Sequence, residues 1–596
     1  VQLGGHEQGR WLRGQEQGSI KDIFIPRIRK STRIPLSRFS KPWVESLKNH
    51  EFQPKGAKGV SLDSSRSYNP GMDRSDPVYC EMLRYLLDRI NYEKVVDQPY
   101  KKNEFKLARM AFLLDLLDNP QRSAPVIHVA GTKGKGSVSW LLAEAFRFSG
   151  RKTGLFTSPH LVDLEERFVI DGSPVAPEDL VQAVEQIRPA EEACSRSEHG
   201  PPTFFELTTA LGWILFQEHA TDVNVIEVGL GGRLDSTNVC DPALCVITSI
   251  SYDHQQQLGN TLAEIAGEKA GIIKPSIPVI AGARAQEAAE VIRKTALNRG
   301  CPIRQLGLDF DVRWTPGSSQ GSISTQDLVS RMEWIEIHSE KTGEKQDKDQ
   351  QNNELTTPVF PIKMLGKHQA DNGAIALAAW KQLQSIGWDL AESPIAQSLA
   401  NTQVPARLEI ISNDPTWILD TAHNEASIQA LLDALQSHFP ERHRTVVFAC
   451  SKDKKYRRML ELLIPSVDCL ILTQFHSNPR FTPVERLEEV ASSIVESLRA
   501  KPSLATTAPI TPARKRPLPR ILTSPSLVEA VTYCLSQERS QFRTGIAQGE
   551  ESSSKTDNPS SSLFTVTGLF AITGSFFIAS EAKELLRTGI FQTHRP

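Results

Sequence analysis

Apolar positions first fall at helical spacing between Tyr79 and Leu117, in Met82-Leu-Arg-Tyr-Leu-Leu87 and in Phe105-Lys-Leu-Ala-Arg-Met-Ala-Phe-Leu-Leu114, where residues three and four apart share a face and predict helices. The pattern then changes. Val126-Ile-His-Val-Ala130 is a short apolar run that passes into glycines and then into the amphipathic Val138-Ser-Trp-Leu-Leu-Ala-Glu-Ala-Phe146, which reads as strand, loop and helix. Lys152 to Leu161 predicts a short strand ending in a polar turn, and Val223-Asn-Val-Ile-Glu-Val228 and Leu244-Cys-Val-Ile-Thr-Ser-Ile250 predict two more. Between them lie a predicted helix over Pro177–Ile187, a loop over Cys194–Pro202 and a buried helix over Thr203–Phe216. Thr261-Leu-Ala-Glu264 has the form of a capping box, so a helix begins at Leu262 and carries Glu268 and Lys269. A helical stretch over His368–Leu383 precedes a second series of strands at Arg407–Ile411, Trp417–Asp420, Thr445–Phe448 and Cys469–Leu472. Strands alternating with helices predict an α/β protein: a P-loop-type doubly wound parallel sheet domain, then a smaller Rossmann-like α/β C-terminal domain.

Length and composition set the boundaries. A chain of 596 residues exceeds what one hydrophobic core supports, and the pattern divides it into 76–402 and 403–596. Residues 1–75 are rich in Arg, Lys, Gly, Ser and Pro and read as a disordered basic extension; their arginine-bearing character also allows an organelle transit peptide. A polar insertion at 310–358, densest over Glu340–Glu354, reads as an exposed loop, and 500–520 and 546–562 as disordered insertions. A net charge of −2 gives no overall basic field to recruit nucleic acid. Leu563–Ile578 is shorter than the roughly 20 apolar residues of a spanning helix, and its threonines and glycines predict buried strand and turn. Eight cysteines without a C-x-x-C pair indicate reduced thiols rather than a zinc site or a disulfide framework. The expectation is a cytoplasmic protein that binds neither nucleic acid nor membrane.

Candidate chemistry gathers just past the strand ends. In Gly131-Thr-Lys-Gly-Lys-Gly-Ser137 glycines let backbone N–H groups approach phosphate oxygens, and the helix that follows adds positive partial charge. Lys135 would meet the phosphates and Ser137 a magnesium ion. Glu227 interrupts an apolar strand, where an unpaired carboxylate is costly to bury; a magnesium ion resolves that cost, and an ion pair with Arg233 is the plainer alternative. His254, beside Asp253 and Tyr252, ends the next strand, and Ser158 offers a hydroxyl at a third. As a bare ammonium beside a metal Lys269 would repel, so it either pairs with Glu268 on a surface or is chemically altered. Asp420-Thr-Ala-His-Asn424 is either a helix cap or a nucleotide contact.

With these residues in place the chain resembles the folylpolyglutamate synthase and dihydrofolate synthase family of the Mur ligase superfamily. The matching stretches run in family order: Ile90-Asn-Tyr-Glu93, His128–Ser137, Thr157-Ser-Pro-His-Leu161, Phe204-Phe-Glu206, Glu227–Asn238, Asp253-His254, Glu268–Lys274, Gly366–Gln369 with Asn372, Arg407-Leu-Glu409 and Leu419–Asn424. The resemblance implies an ATP-dependent ligase that adds L-glutamate to a folate, or to dihydropteroate, through an acyl phosphate, acting as a monomer. It implies ATP contacts from Thr132, Gly134, Lys135, Gly136, Ser137, Asn372, Arg407, Asp420 and His423, and a pterin pocket at Phe204, Phe205, Leu234, Asp235 and Ser236. It also implies two magnesium ions held by Ser137, Ser158, Glu227, His254 and Lys269, the last as a carbamate, with Lys135, His254 and Lys269 catalytic. Ser236 stands where many members have Ala, Ala406 where Gly is usual, and Glu425 where Pro commonly follows His-Asn. The alternative is a Mur-type amide ligase acting on a cell-wall nucleotide-peptide.

Overall fold

A computed structural model describes residues 74–91, 107–317, 328–337, 357–500, 517–537 and 568–591. The basic extension up to residue 73, the densest part of the polar insertion and most of the two later insertions lie outside the described residues, as do Tyr92 and Glu93. The first lobe opens on helices α1 (Pro77–Leu87) and α2 (Leu107–Asp115), then β1 (Val126–Ala130), α3 (Lys135–Phe148), β2 (Thr153–Phe156), β3 (Phe168–Ile170) and β4 (Ser173–Pro174). Helices α4 (Pro177–Arg196) and α5 (Phe204–Glu218) lead to β5 (Val223–Glu227), β6 (Pro242–Ile247), α6 (Leu262–Ala270), β7 (Val279–Ala281), α7 (Gln286–Asn298) and β8 (Ile303–Gln305). The eight strands form one sheet in the order β4-β3-β2-β5-β1-β6-β7-β8. From β2 to β8 every pairing is parallel, and β3 and β4 add an antiparallel edge. All five residues of β1 and of β5 are buried, as expected of central strands covered by helices on both faces.

Several expectations of local structure hold to the residue. Thr203 caps α5 and Thr261 caps α6, each accepting the N–H of the glutamate three residues on while that glutamate returns a bond to the cap. Two differ. Helix α4 runs through Pro189 to Arg196 instead of stopping near Ile187, so Cys194 is a buried helical residue; the apolar spacing of Ala190 and Cys194 continues the core-facing stripe past the proline. The stretch read as an exposed loop contains β9 (Phe310–Thr315) and β10 (Ser330–Glu336), which with β11 (Val359–Ile362) make a three-stranded antiparallel sheet. Phe310 and Trp334 stack there at 5.0 Å, a cross-strand aromatic pair that offsets the polar composition around it.

Helices α8 (Lys367–Ser385) and α9 (Ser393–Asn401) complete the first lobe. The second contains β12 (Glu409–Asn413), β13 (Thr416–Leu419), α10 (Glu425–His438), β14 (Arg444–Phe448), α11 (Tyr456–Leu463), β15 (Cys469–Leu472), α12 (Val484–Ala500), β16 (Arg520–Thr523), β17 (Leu569–Thr573) and α13 (Phe576–Arg587). Its sheet order is β12-β13-β17-β14-β15-β16, parallel except for the edge pair β12–β13. The apolar stretch near the C-terminus is therefore the central strand β17, followed by α13 where turn was expected, with Ser575 capping that helix. No helix among the described residues is long and apolar enough to cross a membrane, and all eight cysteines are free thiols.

Candidate functional site

One cavity of about 900 Å³ receives the ends of the parallel strands of the first lobe and is walled on its other side by the second. The glycine loop between β1 and α3 forms its floor. Gly134 has φ of +86° and caps α3, and a Cβ placed on it would lie 2.2 Å from the Asn372 side-chain oxygen, so both conformation and space require glycine here. Behind the loop, the Thr248 and Ser249 hydroxyls donate to the Lys133 carbonyl at 2.7 and 3.0 Å, and the Thr132 N–H donates to the Ser249 carbonyl at 2.7 Å. The loop is thus tied to the end of β6, with the N-terminus of α3 directed into the cavity. Such a terminus with a lysine beside it attracts anions.

Glu227, at the end of β5, is 5% exposed. Its carboxylate accepts one long bond, 3.3 Å, from the Ser158 N–H, and lies 3.9 Å from the Lys135 ammonium. A Cβ on Gly136 would be 3.6 and 3.8 Å from its two oxygens. Burial pushes its carboxyl above the usual carboxylate range, with Lys135 and the Ser158 N–H opposing. Arg233, the plainer partner considered from sequence, instead pairs with Glu268 at 2.9 Å. Lys269 is therefore not in a surface pair with Glu268. It is 4% exposed, donates to the Gly131 carbonyl at 2.9 Å, and burial together with Lys135 lowers its ammonium to about 7.

Among the described residues no group of three or more His, Cys, Asp or Glu side chains is arranged to hold a metal. Magnesium does not need one, because it is held by one or two carboxylates plus phosphate oxygens and water. A buried, weakly bonded carboxylate beside a phosphate-type loop, in a cavity that Ser137 and Ser158 also line, fits that donor set.

At the other end the cavity is apolar. The Phe205 ring approaches the Gly229 backbone so closely that a Cβ there would fall 2.3 Å from it, and Phe204 is 1% exposed. Glu206 is committed to the α5 cap and to a buried pair with Arg109 at 2.9 Å, which fixes the wall those rings stand on. Thr209 and Ser236 share a hydrogen bond of 2.7 Å. From the second lobe, Arg407 lies over the Phe576 ring at 5.2 Å, and Asp420 accepts the N–H groups of Leu408 and Ala422 at 2.9 and 2.8 Å. Asn424 caps α10. The helix-cap reading of the Asp420–Asn424 stretch holds at Asn424, while Asp420 at its start lines the cavity.

Every residue assigned to ATP, metal or pterin from sequence lines this cavity except Lys269, which sits behind the glycine loop. Sequence reasoning passed over Lys133, whose ammonium pairs with Asp253 at 2.8 Å, and Arg167, fully buried with its guanidinium over Phe204 at 5.4 Å. It also passed over Lys454 and Arg480 on the second lobe's wall. The polar run Ser451–Lys455 is separated from the end of β14 by two residues, so the strand-end rule that found His254 applied there too.

Residues 129–380 match the Mur ligase middle domain and residues 406–514 the Mur ligase glutamate ligase domain. The dihydrofolate synthase/folylpolyglutamate synthase of Bacillus subtilis is 35% identical over 363 residues, which span 60% of this chain and 78% of its own. The folylpolyglutamate synthase of Lacticaseibacillus casei is 35% identical over 377 residues, 63% of this chain and 82% of its own. The chain belongs to the folylpolyglutamate synthase/dihydrofolate synthase family of Mur ligases. A solved member from Mycobacterium tuberculosis, complexed with ADP and AMPPCP, superposes with a TM-score of 0.64 at 28% identity, covering 85% of this chain and 98% of that one.

Proposed function

We infer that this family member is an ATP-dependent ligase that joins L-glutamate to the carboxylate of a folate. The observation that carries the reading is that one cavity is lined both by a phosphate-type loop, whose Lys135 lies 3.9 Å from Glu227, and by the aromatic pair Phe204 and Phe205. A cell-wall nucleotide-peptide is not favoured as acceptor, because the curated relatives above act in folate synthesis by name.

The chemistry brings two anions together. The acceptor carboxylate attacks the γ-phosphorus of ATP and ADP leaves, giving an acyl phosphate; the glutamate amine then attacks its carbonyl carbon, and phosphate and a proton depart. Lys135 and Arg407 lie where positive charge offsets the repulsion of the first step, and the N–H groups at the start of α3 hold the phosphates in line. Magnesium, when bound, would supply charge neutralisation to the phosphates, and Ser137, Ser158, Glu227 and His254 would be the residues to hold it. Lys269, buried and lowered toward neutrality, is suited to carbamylation, since only the unprotonated amine adds carbon dioxide. Walls from both lobes exclude water from the acyl phosphate.

The test is to supply the purified chain with ATP, magnesium and L-glutamate, and with dihydropteroate, tetrahydrofolate or a muramyl nucleotide-peptide in parallel. Phosphate release with a product one glutamyl unit heavier is expected for a pterin acceptor, and none of it for Lys135→Ala. Product from the nucleotide-peptide alone, or none from any acceptor, overturns the reading.

A further inference from the structure

His128 lies on β1 at the centre of the first sheet and is completely buried, an unusual place for an imidazole between Ile127 and Val129. Its Nε2 is 2.9 Å from the Thr237 hydroxyl. That hydroxyl is 2.6 Å from Asp235 Oδ1, which also accepts the Thr237 N–H at 3.0 Å. The other carboxylate oxygen of Asp235 accepts the Leu230 N–H at 2.8 Å. Asp235 borders the cavity.

The direction of this chain follows from proton counting. Burial raises the Asp235 carboxyl, and its bonds from Thr237 and Leu230 oppose that shift; with Asp235 ionised, a carboxylate that only accepts, the single Thr237 proton points at it and the Thr237 oxygen is left to accept from His128. The imidazole is then the neutral Nε2–H tautomer. Two observations agree with this. Among the described residues His128 Nδ1 is buried with no hydrogen-bond partner, as a bare lone pair can be and an N–H donor rarely is. Burial, helped by the nearby Lys274, lowers its imidazolium to about 3, which excludes the doubly protonated form.

We propose that His128 is a positioning residue for acceptor recognition, holding the Asp235 carboxylate at the apolar end of the cavity through Thr237. The relay gives a central sheet strand purchase on a carboxylate in the loop after β5, and each bond polarises the next. With Thr237 released, the hydroxyl is free to turn away and Asp235 keeps only backbone N–H donors. Oδ1 is filled by the two Thr237 donors and Oδ2 holds one backbone donor, so the acceptor capacity left to a ligand is on Oδ2, the partner for an N–H on a heterocycle edge. The inference rests on assigning Asp235 to the acceptor end of the site in the proposed function.

Four variants of the full chain test it: His128→Leu, His128→Gln, Thr237→Val and Asp235→Asn, with KM measured separately for acceptor and ATP, and thermal stability recorded. In His128→Leu and Thr237→Val the acceptor KM should rise about tenfold, the cost of one hydrogen bond to a charged group, while the ATP KM and kcat stay within about threefold. His128→Gln places an amide N–H where Nε2 was and should restore the acceptor KM. Equal rises in both KM values, or a glutamine variant no better than leucine, would reduce His128 to a core residue and overturn the relay. If Asp235→Asn itself leaves the acceptor KM unchanged, the placement of the acceptor fails instead; if Asp235→Asn raises it and His128→Leu does not, only the relay fails.

Discussion

Gly134→Ala is the sharpest perturbation of the nucleotide end. The residue has φ of +86°, and an added Cβ would meet the Asn372 oxygen at 2.2 Å and its Cγ at 3.0 Å. Holding alanine in a left-handed conformation costs roughly 1–2 kcal/mol. Moving Asn372 aside also gives up its 2.8 Å bond to Gln369, a further contribution of about 1 kcal/mol. The loop is free to relax when empty, so the 2–3 kcal/mol or so should appear on nucleotide binding rather than on folding, as about 30- to 150-fold weaker affinity. Calorimetric titration with a non-hydrolysable ATP analogue reads this directly, with the melting temperature as control. Combining Gly134→Ala with Asn372→Ala removes the collision but not the backbone strain. Relative to Asn372→Ala alone, the added alanine should then cost only about 5- to 30-fold, the two sites being coupled because they touch. An affinity within threefold of the parent, or a large loss of melting temperature at unchanged affinity, would refute the reasoning.

Three further outcomes follow. Glu227→Gln should lower turnover at least about 100-fold, because it removes the one carboxylate beside Lys135, while leaving the melting temperature at pH 7 unchanged or raised, since the charge it deletes is disfavoured by burial; a destabilised variant with normal turnover contradicts this. Acidification should destabilise the fold below about pH 6.5. His128 is lowered to about 3 by burial, so between those values the unfolded chain binds a proton the native one does not, and stability falls with pH by up to about 1.4 kcal/mol per unit for that group; His128→Gln should flatten the slope of melting temperature against pH, and an unchanged slope would show that the group does not contribute. Ala406→Gly should be neutral or stabilising by about 1 kcal/mol, because Ala406 has φ of +51°, and a denaturant midpoint lowered by the change would count against that account.

Much of the fold was legible because its cues are local. The continuous apolar runs of β1, β5 and β6 announce a sheet covered on both faces, and the Thr203–Glu206 and Thr261–Glu264 pairs mark helix starts through their own hydrogen bonds. The gathering of Ser137, Ser158, Glu227 and His254 at strand ends likewise follows from the parallel topology. What was not legible depends on distant partners. Pro189 ends a helix by local rules, yet α4 continues because Ala190 and Cys194 have a core to enter. The strands β9 and β10 lie in a polar stretch, and pairing with β11, together with the Phe310–Trp334 stack, stabilises them. For Lys269 a surface pair with Glu268 stood open beside chemical alteration, and only the position of Arg233, 36 positions upstream, removes the first by taking Glu268 itself. His128 looked like an ordinary member of the glycine-loop motif because Thr237 is more than a hundred residues away.

The passage between the lobes, Ala406-Arg407-Leu408, has left-handed backbone at both flanks, +51° and +48°, in residues that are not glycine. Each is pinned by a carboxylate, the Ala406 N–H by Glu409 at 2.7 Å and the Leu408 N–H by Asp420 at 2.9 Å. The joint is a wound one rather than a slack tether, and the residue at its centre, Arg407, lines the cavity and is the cation proposed above to offset the phosphate charge. Any swing of the second lobe away from the first therefore withdraws Arg407 along with it. An enzyme built this way has no need of a separate lid: letting the product go and switching off the chemistry are one movement.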